Sequence, residues 1–166
     1  MIDFELLRFS YSCIGDFDEH GLSGDRETDP ASLHRGRYER FDDYGFWAAI
    51  EKSTGNFVGW FHFRLDEGAG PNEPELGYRL RRSAWGKGFA TEGSRALIQK
   101  GFTEFEVQRV VASTMAVNVA SRRVMEKAGL EFVRTFFQDW PEVIEGSEEG
   151  EVEYALSKTE WQQQNA

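Results

Sequence analysis

Short runs rich in apolar and β-branched residues recur along the chain, and they predict strands. The runs lie at residues 1–11, 46–50, 57–65, 75–80, 109–115, 131–137 and 151–157. Turn-forming residues at 53–56 predict that the second and third strands form a hairpin. Residues 16–30 are rich in Gly, Asp and Glu and are typical of a loop, and a short helix is predicted at 30–41.

Apolar residues at helical spacing occur in two further stretches. The first runs from a glycine-rich turn to about residue 102 and places Phe89, Gly93, Ala96 and Leu97 on one face. The second carries Val117, Ser121, Val124, Met125 and Ala128, with Gly129 as a C-terminal cap. The resulting order of strands and helices predicts an α/β domain with a mixed sheet. We find no repeat or linker, which favours a single domain over 1–166, with a short variable part at 1–43, a core at 44–137 and a C-terminal strand region at 138–166.

Composition disfavours several classes of protein. The 166 residues carry a formal net charge of −10, so a general nucleic-acid binder is disfavoured, because Lys and Arg supply most phosphate contacts. The single cysteine, Cys13, excludes an internal disulfide framework and fits a reducing compartment. No basic segment precedes an apolar core at the start, and no apolar run approaches the roughly 20 residues that span a bilayer. A cytoplasmic protein without membrane partners is expected.

The charge is unevenly distributed. Residues 79–127 contain ten basic and four acidic side chains, a local charge of +6, which leaves −16 for the remainder. A basic segment in an acidic chain indicates either a focused anion site or a solvated face on two helices.

The glycine-rich turn before the first helix could bind an anion. Gly86 and Gly88 allow close backbone approach, and the helix start adds free N–H groups and partial positive charge. An ordinary turn explains the same glycines. A Walker loop is excluded because Gly88 is followed by Phe89 rather than Lys, and a Rossmann fingerprint is disfavoured because its third glycine is replaced by Thr91.

Two segments together resemble a known superfamily. Leu76-Gly77-Tyr78 followed by Trp85-Gly86-Lys87-Gly88-Phe89-Ala90-Thr91-Glu92 resembles the acyl-CoA loop of the GNAT N-acetyltransferases, and residues 118–130, Asn-Val-Ala-Ser-Arg-Arg-Val-Met-Glu-Lys-Ala-Gly-Leu, resemble its second hallmark. The match is most similar to the Rim-type branch, which is named for acetylation of ribosomal-protein N-termini. The resemblance implies a mostly antiparallel mixed sheet flanked by helices, here with a shortened N-terminal part. Two positions depart from the pattern: Ser83 replaces a Gln or Arg, and Met125 replaces a tyrosine that acts as general acid in many members.

The resemblance also implies roles for individual residues. Acetyl-CoA would be the cosubstrate: the backbone at Leu80, Arg81 and Arg82 would pair with its pantetheine, and the N–H groups of Trp85, Gly86, Lys87, Gly88, Phe89 and Ala90 would hold its pyrophosphate beside Thr91. Asn118 and Ser121 would contact the pantetheine or the sulfur end. Asn118 fits a helix N-cap equally well.

The implied chemistry is direct attack of a neutral primary amine on the thioester. Because amines are largely protonated at pH 7, a general base would speed the reaction. Glu75, which opens its strand, is the candidate base, with a solvated loop-edge carboxylate as the alternative. His62 is interpreted as a wall or core residue and Glu92 as a helix-start carboxylate. The three histidines show no metal spacing, so no metal is expected.

Three functions remain open at this stage. The leading hypothesis is an acetyl-CoA-dependent N-acetyltransferase acting on a small amine or a protein N-terminus. The second is a non-catalytic acyl-CoA-binding module, favoured by Met125 and the short N-terminal part. A nicotinamide-dependent oxidoreductase is a weaker third. The aromatic-rich composition is compatible with a homodimer.

Overall fold

The computed structural model of the protein describes residues 4–9, 44–65, 69–139 and 144–166. The loop expected at 16–30, the helix expected at 30–41 and the rest of the N-terminal part at 1–43, apart from residues 4–9, lie outside these residues. No helix within the described ranges is long and apolar enough to cross a membrane.

The described residues form one seven-stranded mixed sheet. Its strands are β1 (Phe4–Phe9), β2 (Gly45–Glu51), β3 (Asn56–Arg64), β4 (Glu75–Leu80), β5 (Arg109–Met115), β6 (Glu131–Phe136) and β7 (Glu151–Ser157), in the spatial order β1-β2-β3-β4-β5-β7-β6. Each neighbouring pair is antiparallel except β4 and β5, which are parallel. The predicted mostly antiparallel sheet is confirmed, and each predicted strand is present within a few residues of its expected bounds.

The predicted hairpin joins β2 and β3. Its turn is closed by the N–H of Gly55, which donates to the Glu51 carbonyl at 2.7 Å. Gly55 has a φ of +71°, a left-handed conformation that glycine adopts without steric cost.

Helix α1 (Phe89–Glu104) packs closely against β3. A Cβ at Gly93 would lie 2.2 Å from Cζ of Phe61, and one at Gly101 would lie 2.7 Å from Cε1 of Phe63. The two glycines therefore let the helix backbone approach the aromatic core. The buried face comprises Phe89, Gly93, Ser94, Leu97, Ile98, Gly101 and Phe102. The prediction that Ala96 belongs to this face is wrong, since Ala96 is exposed and the face turns towards Ser94 instead.

Helix α2 (Val119–Lys127) follows β5 and buries Met125. Ala128 is also buried, and Gly129 ends the helix with a φ of +98°, as predicted. The prediction that Val117 begins the apolar stripe is wrong. Val117 precedes the N-cap and is 48% exposed, because the helix starts only at Val119.

The C-terminal region ends in a helix that the strand interpretation missed. Helix α3 (Lys158–Gln164) begins at a capping box, in which Ser157 and Glu160 exchange side-chain and backbone hydrogen bonds. Trp161 of this helix contacts Phe102 of α1, with ring centroids 5.5 Å apart. The Ser-x-x-Glu spacing at residues 157–160 is a sequence signal for the start of this helix.

Strand alternation gives the sheet two distinct faces. The helix face carries α1 and buries core residues such as Phe61, Phe63, Val110, Tyr154 and Leu156. The opposite face, called the second face below, carries the alternate residues of the central strands: His62, Arg64, Glu75, Ser113, Glu151 and Glu153. Polar chemistry is therefore concentrated on one side of the sheet.

Candidate functional site

The central feature of the site is a gap between β4 and β5. The two strands pair only at Glu75 and Val111, where the Val111 N–H donates to the Pro74 carbonyl at 3.1 Å. The other neighbouring strands pair over most of their lengths. Beyond Glu75, β4 and β5 diverge and leave an opening in the middle of the sheet.

Backbone groups of β4 line this opening. The Arg81 N–H donates to the Val58 carbonyl of β3 at 2.9 Å. Because backbone groups of successive residues point to opposite sides of a strand, those of Tyr78 and Leu80 point away from β3 and into the gap. A ligand lying in the gap could pair with them as an added strand would.

The backbone carbonyls of residues 80–82, where pairing with the pantetheine was predicted, are engaged in hydrogen bonds within the chain. The Leu80 carbonyl accepts the indole N–H of Trp85 at 3.0 Å. The Arg81 and Arg82 carbonyls accept the N–H groups of Ala84 and Trp85 in a 3-10 turn. Within the described part of the chain, the backbone groups of β4 that face the gap without a partner are those of Tyr78 and the N–H of Leu80.

The glycine-rich turn has the geometry of an anion site. Gly86 and Gly88 have φ values of +72° and +88°, so both use left-handed backbone conformations. Among the described residues, the N–H groups of Gly86, Lys87, Gly88, Ala90 and Thr91 have no hydrogen-bond acceptor. These donors converge at the N-terminus of α1, where the helix dipole adds partial positive charge.

The side chains of the turn differ in exposure. Phe89 is buried and anchors the start of α1, whereas Lys87 and Arg82 are exposed beside the free N–H groups. Arg81 instead lies over the ring of Phe57, 5.2 Å from its centroid. Trp85 is 64% exposed and presents a flat apolar ring at the mouth of the gap.

Asn118 and Ser121 lie at the start of α2, on the β5 side of the gap. Asn118 is the N-cap: its Oδ1 accepts the Ser121 N–H at 3.1 Å, and its Nδ2 donates to Oγ1 of Thr114 at 3.1 Å. The N-cap interpretation is thereby confirmed. The Ser121 hydroxyl lies 3.2 Å from the hydroxyl of Tyr78 on β4.

Met125 occupies the position where many GNAT N-acetyltransferases, the superfamily that the sequence resembles, have a tyrosine. The Met125 side chain is buried in the core. The hydroxyl of Tyr78 lies near the same helix one turn earlier, at Ser121. Burial raises the pKa of Tyr78, and the hydrogen bond to Ser121 partly offsets this effect. Sequence reasoning quoted Tyr78 within the superfamily motif but gave it no role, because its position in a strand gave no sign of which helix it would reach.

Glu75 is buried on the second face beside the gap, where it is held by charged neighbours. Its Oε2 accepts from Nε of Arg64 at 2.7 Å and lies 2.6 Å from NH2 of the same guanidinium. Nε2 of His62 is 3.5 Å from that oxygen, and Oε1 accepts the Ser113 hydroxyl at 2.9 Å. Burial raises the pKa of Glu75, but His62 and Arg64 outweigh it and lower the pKa to about 2. Glu75 is therefore a fixed negative charge at neutral pH.

His62 packs against this carboxylate in a confined space. Its ring lies over Gly77, where a Cβ would approach Cε1 of His62 to 2.2 Å. The ring also contacts Phe46 and Trp60, each with a centroid distance of 5.9 Å. The predicted role of His62 as a wall residue is consistent with these contacts.

A second buried acid on this face, Glu151, was missed by the sequence analysis. Only 8% of the residue is exposed. Burial raises its pKa, and the negative charge of Glu75 adds to the effect. In the sequence Glu151 belongs to an acidic run, and nothing there distinguishes it from its solvated neighbours. No group of three or more potential metal ligands occurs in the ranges that the structure covers.

Comparison with known proteins gives a consistent family match. A family model described as "Acetyltransferase (GNAT) domain" matches residues 22–131. A curated relative, the FsC-acetyl coenzyme A-N(2)-transacetylase of Aspergillus fumigatus, is 35% identical over an alignment 130 residues long, and the match covers 71% of this chain and 52% of the relative. The chain thus spans about half the length of that relative.

Solved structures share the fold. A GNAT-family acetyltransferase from Bacillus anthracis is 25% identical with a TM-score of 0.60, over 75% of this chain and 73% of the other. A spermidine N-acetyltransferase from Vibrio cholerae, solved with CoA and spermine, has a TM-score of 0.65 at 12% identity, over 80% of this chain and 75% of the other.

Proposed function

Because this chain belongs to the GNAT acetyltransferase family, we propose that it transfers the acetyl group of acetyl-CoA to a primary amine. One observation carries the proposal: the gap between β4 and β5 lies next to a helix start where five N–H groups have no acceptor among the described residues. The gap suits an extended chain and the helix start suits a pyrophosphate, and acyl-CoA contains both.

The pyrophosphate would bind at the turn that precedes α1. The N–H groups of Gly86, Lys87, Gly88, Ala90 and Thr91 would donate to its oxygens, with the helix dipole and the Lys87 ammonium adding positive charge. The local charge of +6 over residues 79–127 supports this placement in an otherwise acidic chain. Trp85 and Phe89 were also predicted to bind the pyrophosphate through their N–H groups, but they would act in other ways. Trp85 would act through its exposed ring, and Phe89 would anchor the start of α1.

The pantetheine would lie along the edge of β4 that faces the gap. Backbone groups of Tyr78 and the N–H of Leu80 are available there, whereas the carbonyls of residues 80–82 are engaged internally. Across the gap, the Ser121 hydroxyl could turn from Tyr78 to the ligand. Asn118 would act chiefly by fixing the start of α2, since both of its polar side-chain atoms are in use.

The acceptor amine would approach from the second face. The carboxylates of Glu75 and Glu151 make this side of the gap negative, and a negative site attracts an ammonium group. Acetyl-CoA supplies an activated thioester, and the amine must be neutral to attack it. Glu75 remains the predicted catalytic residue, but its low pKa suits it to holding and orienting the cation better than to accepting a proton.

The Rim-type resemblance favours a protein N-terminus as acceptor, and the acidic remainder of the chain is equally compatible with a small polyamine-like substrate. The alternative function is an acyl-CoA-binding module without turnover. Its support is the buried Met125 at the tyrosine position. A cytoplasmic location and a homodimer stay predictions.

Turnover distinguishes the two functions. The protein would be incubated with acetyl-CoA and a panel of primary amines that includes peptides with free N-termini and polyamines, and thiol release would be followed. Release that depends on the amine supports the enzyme. Stabilisation by CoA in a thermal-shift assay with no release for any amine supports the binding module, and stabilisation by NAD but not by CoA would contradict both.

A further inference from the structure

Glu151 lies on the second face at the open end of the gap. It is the first residue of β7 and pairs with Met115 of β5 and Phe136 of β6. Its neighbours Val152 and Tyr154 point into the core, so the Glu151 side chain points to the same face as Glu75 and Ser113. From its position opposite Met115, Glu151 flanks the part of β5 that has separated from β4.

One oxygen of this buried side chain is unsatisfied. Oε1 of Glu151 is inaccessible to solvent and has no hydrogen-bond partner within the described part of the chain. A buried carboxylate without a partner loses its hydration and gains nothing in return. Such a group in a folded protein calls for a specific explanation, such as a catalytic role.

Among the residues that the structure describes, no Lys, Arg or His forms an ion pair with Glu151. Arg64 and His62 on β3 both turn to Glu75. Arg134 on β6 binds Glu153 at 2.8 Å, and Arg109 on β5 is shared between Glu73 at 2.8 Å and Glu153 at 3.9 Å. Burial raises the pKa of Glu151, and the charge that acts on it is instead the carboxylate of Glu75, which disfavours a second negative charge and raises that pKa further.

On the premise of the proposed acetyl transfer, we propose that Glu151 is the catalytic base that removes a proton from the ammonium group of the acceptor. Glu75, held by Arg64, would keep its negative charge throughout and orient the same ammonium. The two carboxylates would thus have different roles: Glu75 binds the ammonium group, and Glu151 accepts a proton from it.

The proposed step balances in protons and electrons. The Glu151 carboxylate takes one proton from the acceptor ammonium and leaves a neutral amine. The amine nitrogen then forms a bond to the acetyl carbonyl carbon, the carbon–sulfur bond breaks, and its electron pair leaves on sulfur. The second proton lost by the nitrogen neutralises the thiolate, and Glu151 returns its proton to solvent when the products leave.

The environments of the two acids support this division. Efficient proton transfer requires a base whose pKa lies near the working pH. Burial and the charge of Glu75 raise the pKa of Glu151, whereas the pKa of Glu75 is about 2. Two interacting carboxylates with pKa values moved in opposite directions commonly mark separate acid–base roles.

The test compares Glu151→Gln with the wild type, using the best acceptor of the amine panel and a fluorinated analogue of it that is already neutral at the assay pH. We expect kcat for the basic amine to fall by about 100-fold or more, and by much less for the neutral analogue, which needs no deprotonation before attack. The acidic limb of the kcat profile should disappear. Stabilisation by CoA should be unchanged, since the variant leaves the turn before α1 intact.

Two further variants complete the design. Glu149→Gln alters an exposed acid two residues away and should leave kcat unchanged. Glu151→Asp keeps the acid but withdraws it by one methylene, so it should retain the acidic limb at reduced kcat. This variant carries the test if the Gln variant does not fold.

Specific results would overturn the proposal. One is a kcat for Glu151→Gln within about threefold of wild type, because loss of a general base has a much larger effect. The other is an equal fall in kcat for the basic and the neutral amine, which would indicate a structural role for Glu151. If wild type binds CoA but acetylates no amine, the proposed function fails first, and this inference falls with it.

Discussion

The hydroxyls of Tyr78 and Ser121 lie 3.2 Å apart and connect β4 to α2 across the gap in the sheet. These residues are 43 positions apart in sequence, and β4 has ceased to pair with β5, the strand that leads to α2, at this level. The contact therefore links two sides of the opening that the backbone ladder no longer joins.

The strength of this link can be measured by a double-mutant cycle. Tyr78→Phe and Ser121→Ala each remove one hydroxyl, and Tyr78→Phe keeps the ring packing against Phe61. In urea unfolding we expect a coupling of about 1 kcal/mol, the usual net worth of a hydrogen bond. Strictly additive effects of the two substitutions would show that the hydroxyls do not interact in solution.

Gly86→Ala should weaken CoA binding. A side chain at a φ of +72° is strained by about 1–2 kcal/mol, and relief of this strain would turn the free N–H groups away from the pyrophosphate. The thermal shift produced by CoA should shrink or vanish. The matched control is Gly55→Ala in the hairpin turn, where φ is +71° and a Cβ would likewise meet nothing within 4 Å. Both variants should lose similar stability, and only Gly86→Ala should lose the CoA response.

Gly93→Ala should destabilise the protein because its Cβ would lie 2.2 Å from Cζ of Phe61. Either the Phe61 ring or helix α1 must then move, and overpacking of this kind costs about 1–3 kcal/mol. Gln99→Ala, on the exposed side of the same helix, is the control and should change stability little. Chemical denaturation followed by circular dichroism measures both, and a Gly93→Ala variant as stable as the control would contradict the close packing.

The pH dependence of stability should report the ion pair of Glu75. Its pKa falls from 4.5 to about 2 on folding, so the folded state favours the carboxylate. The contribution, on the order of 3 kcal/mol, is fully present above pH 4.5 and is lost as the pH falls towards 2. Glu75→Gln should be less stable than wild type at neutral pH, and the difference should shrink through this window. Urea unfolding at a series of pH values measures it, and a constant difference would contradict the assigned pairing.

Local sequence signals predicted the elements well where they had a short-range physical cause. Glycines at Gly55, Gly88 and Gly129 marked positions that require a left-handed backbone, and all three lie at turns or helix ends. The strand at 75–80 and the helix start at Phe89 followed from alternation and from the turn between them. The capping box at Ser157 is an equally local signal, but it was overlooked, so helix α3 was not predicted.

Errors arose where the decisive neighbour was distant in sequence. Ala96 fits an apolar stripe by spacing, yet it is exposed, because α1 packs on β3 through Gly93 and Gly101 and turns Ser94 inward instead. Val117 also fits a stripe, but it precedes the N-cap of α2 and is exposed. The partner of Glu75 is Arg64, eleven residues earlier on an adjacent strand, and no spacing rule connects them.

The sequence by itself determined the family pattern, the mixed sheet and the glycine-rich turn before α1, since each depends on residue types at short fixed spacings. Only the tertiary structure decided that β4 and β5 separate after one pair and that Tyr78 reaches Ser121. It also decided that Glu151 is buried under the influence of the Glu75 charge, with one oxygen that has no hydrogen-bond partner among the described residues. These relationships depend on strand order and register, which bring together residues far apart in the chain. The burial of a charge is likewise a property of its surroundings in space, and it separates the roles of two acids that look alike in the sequence.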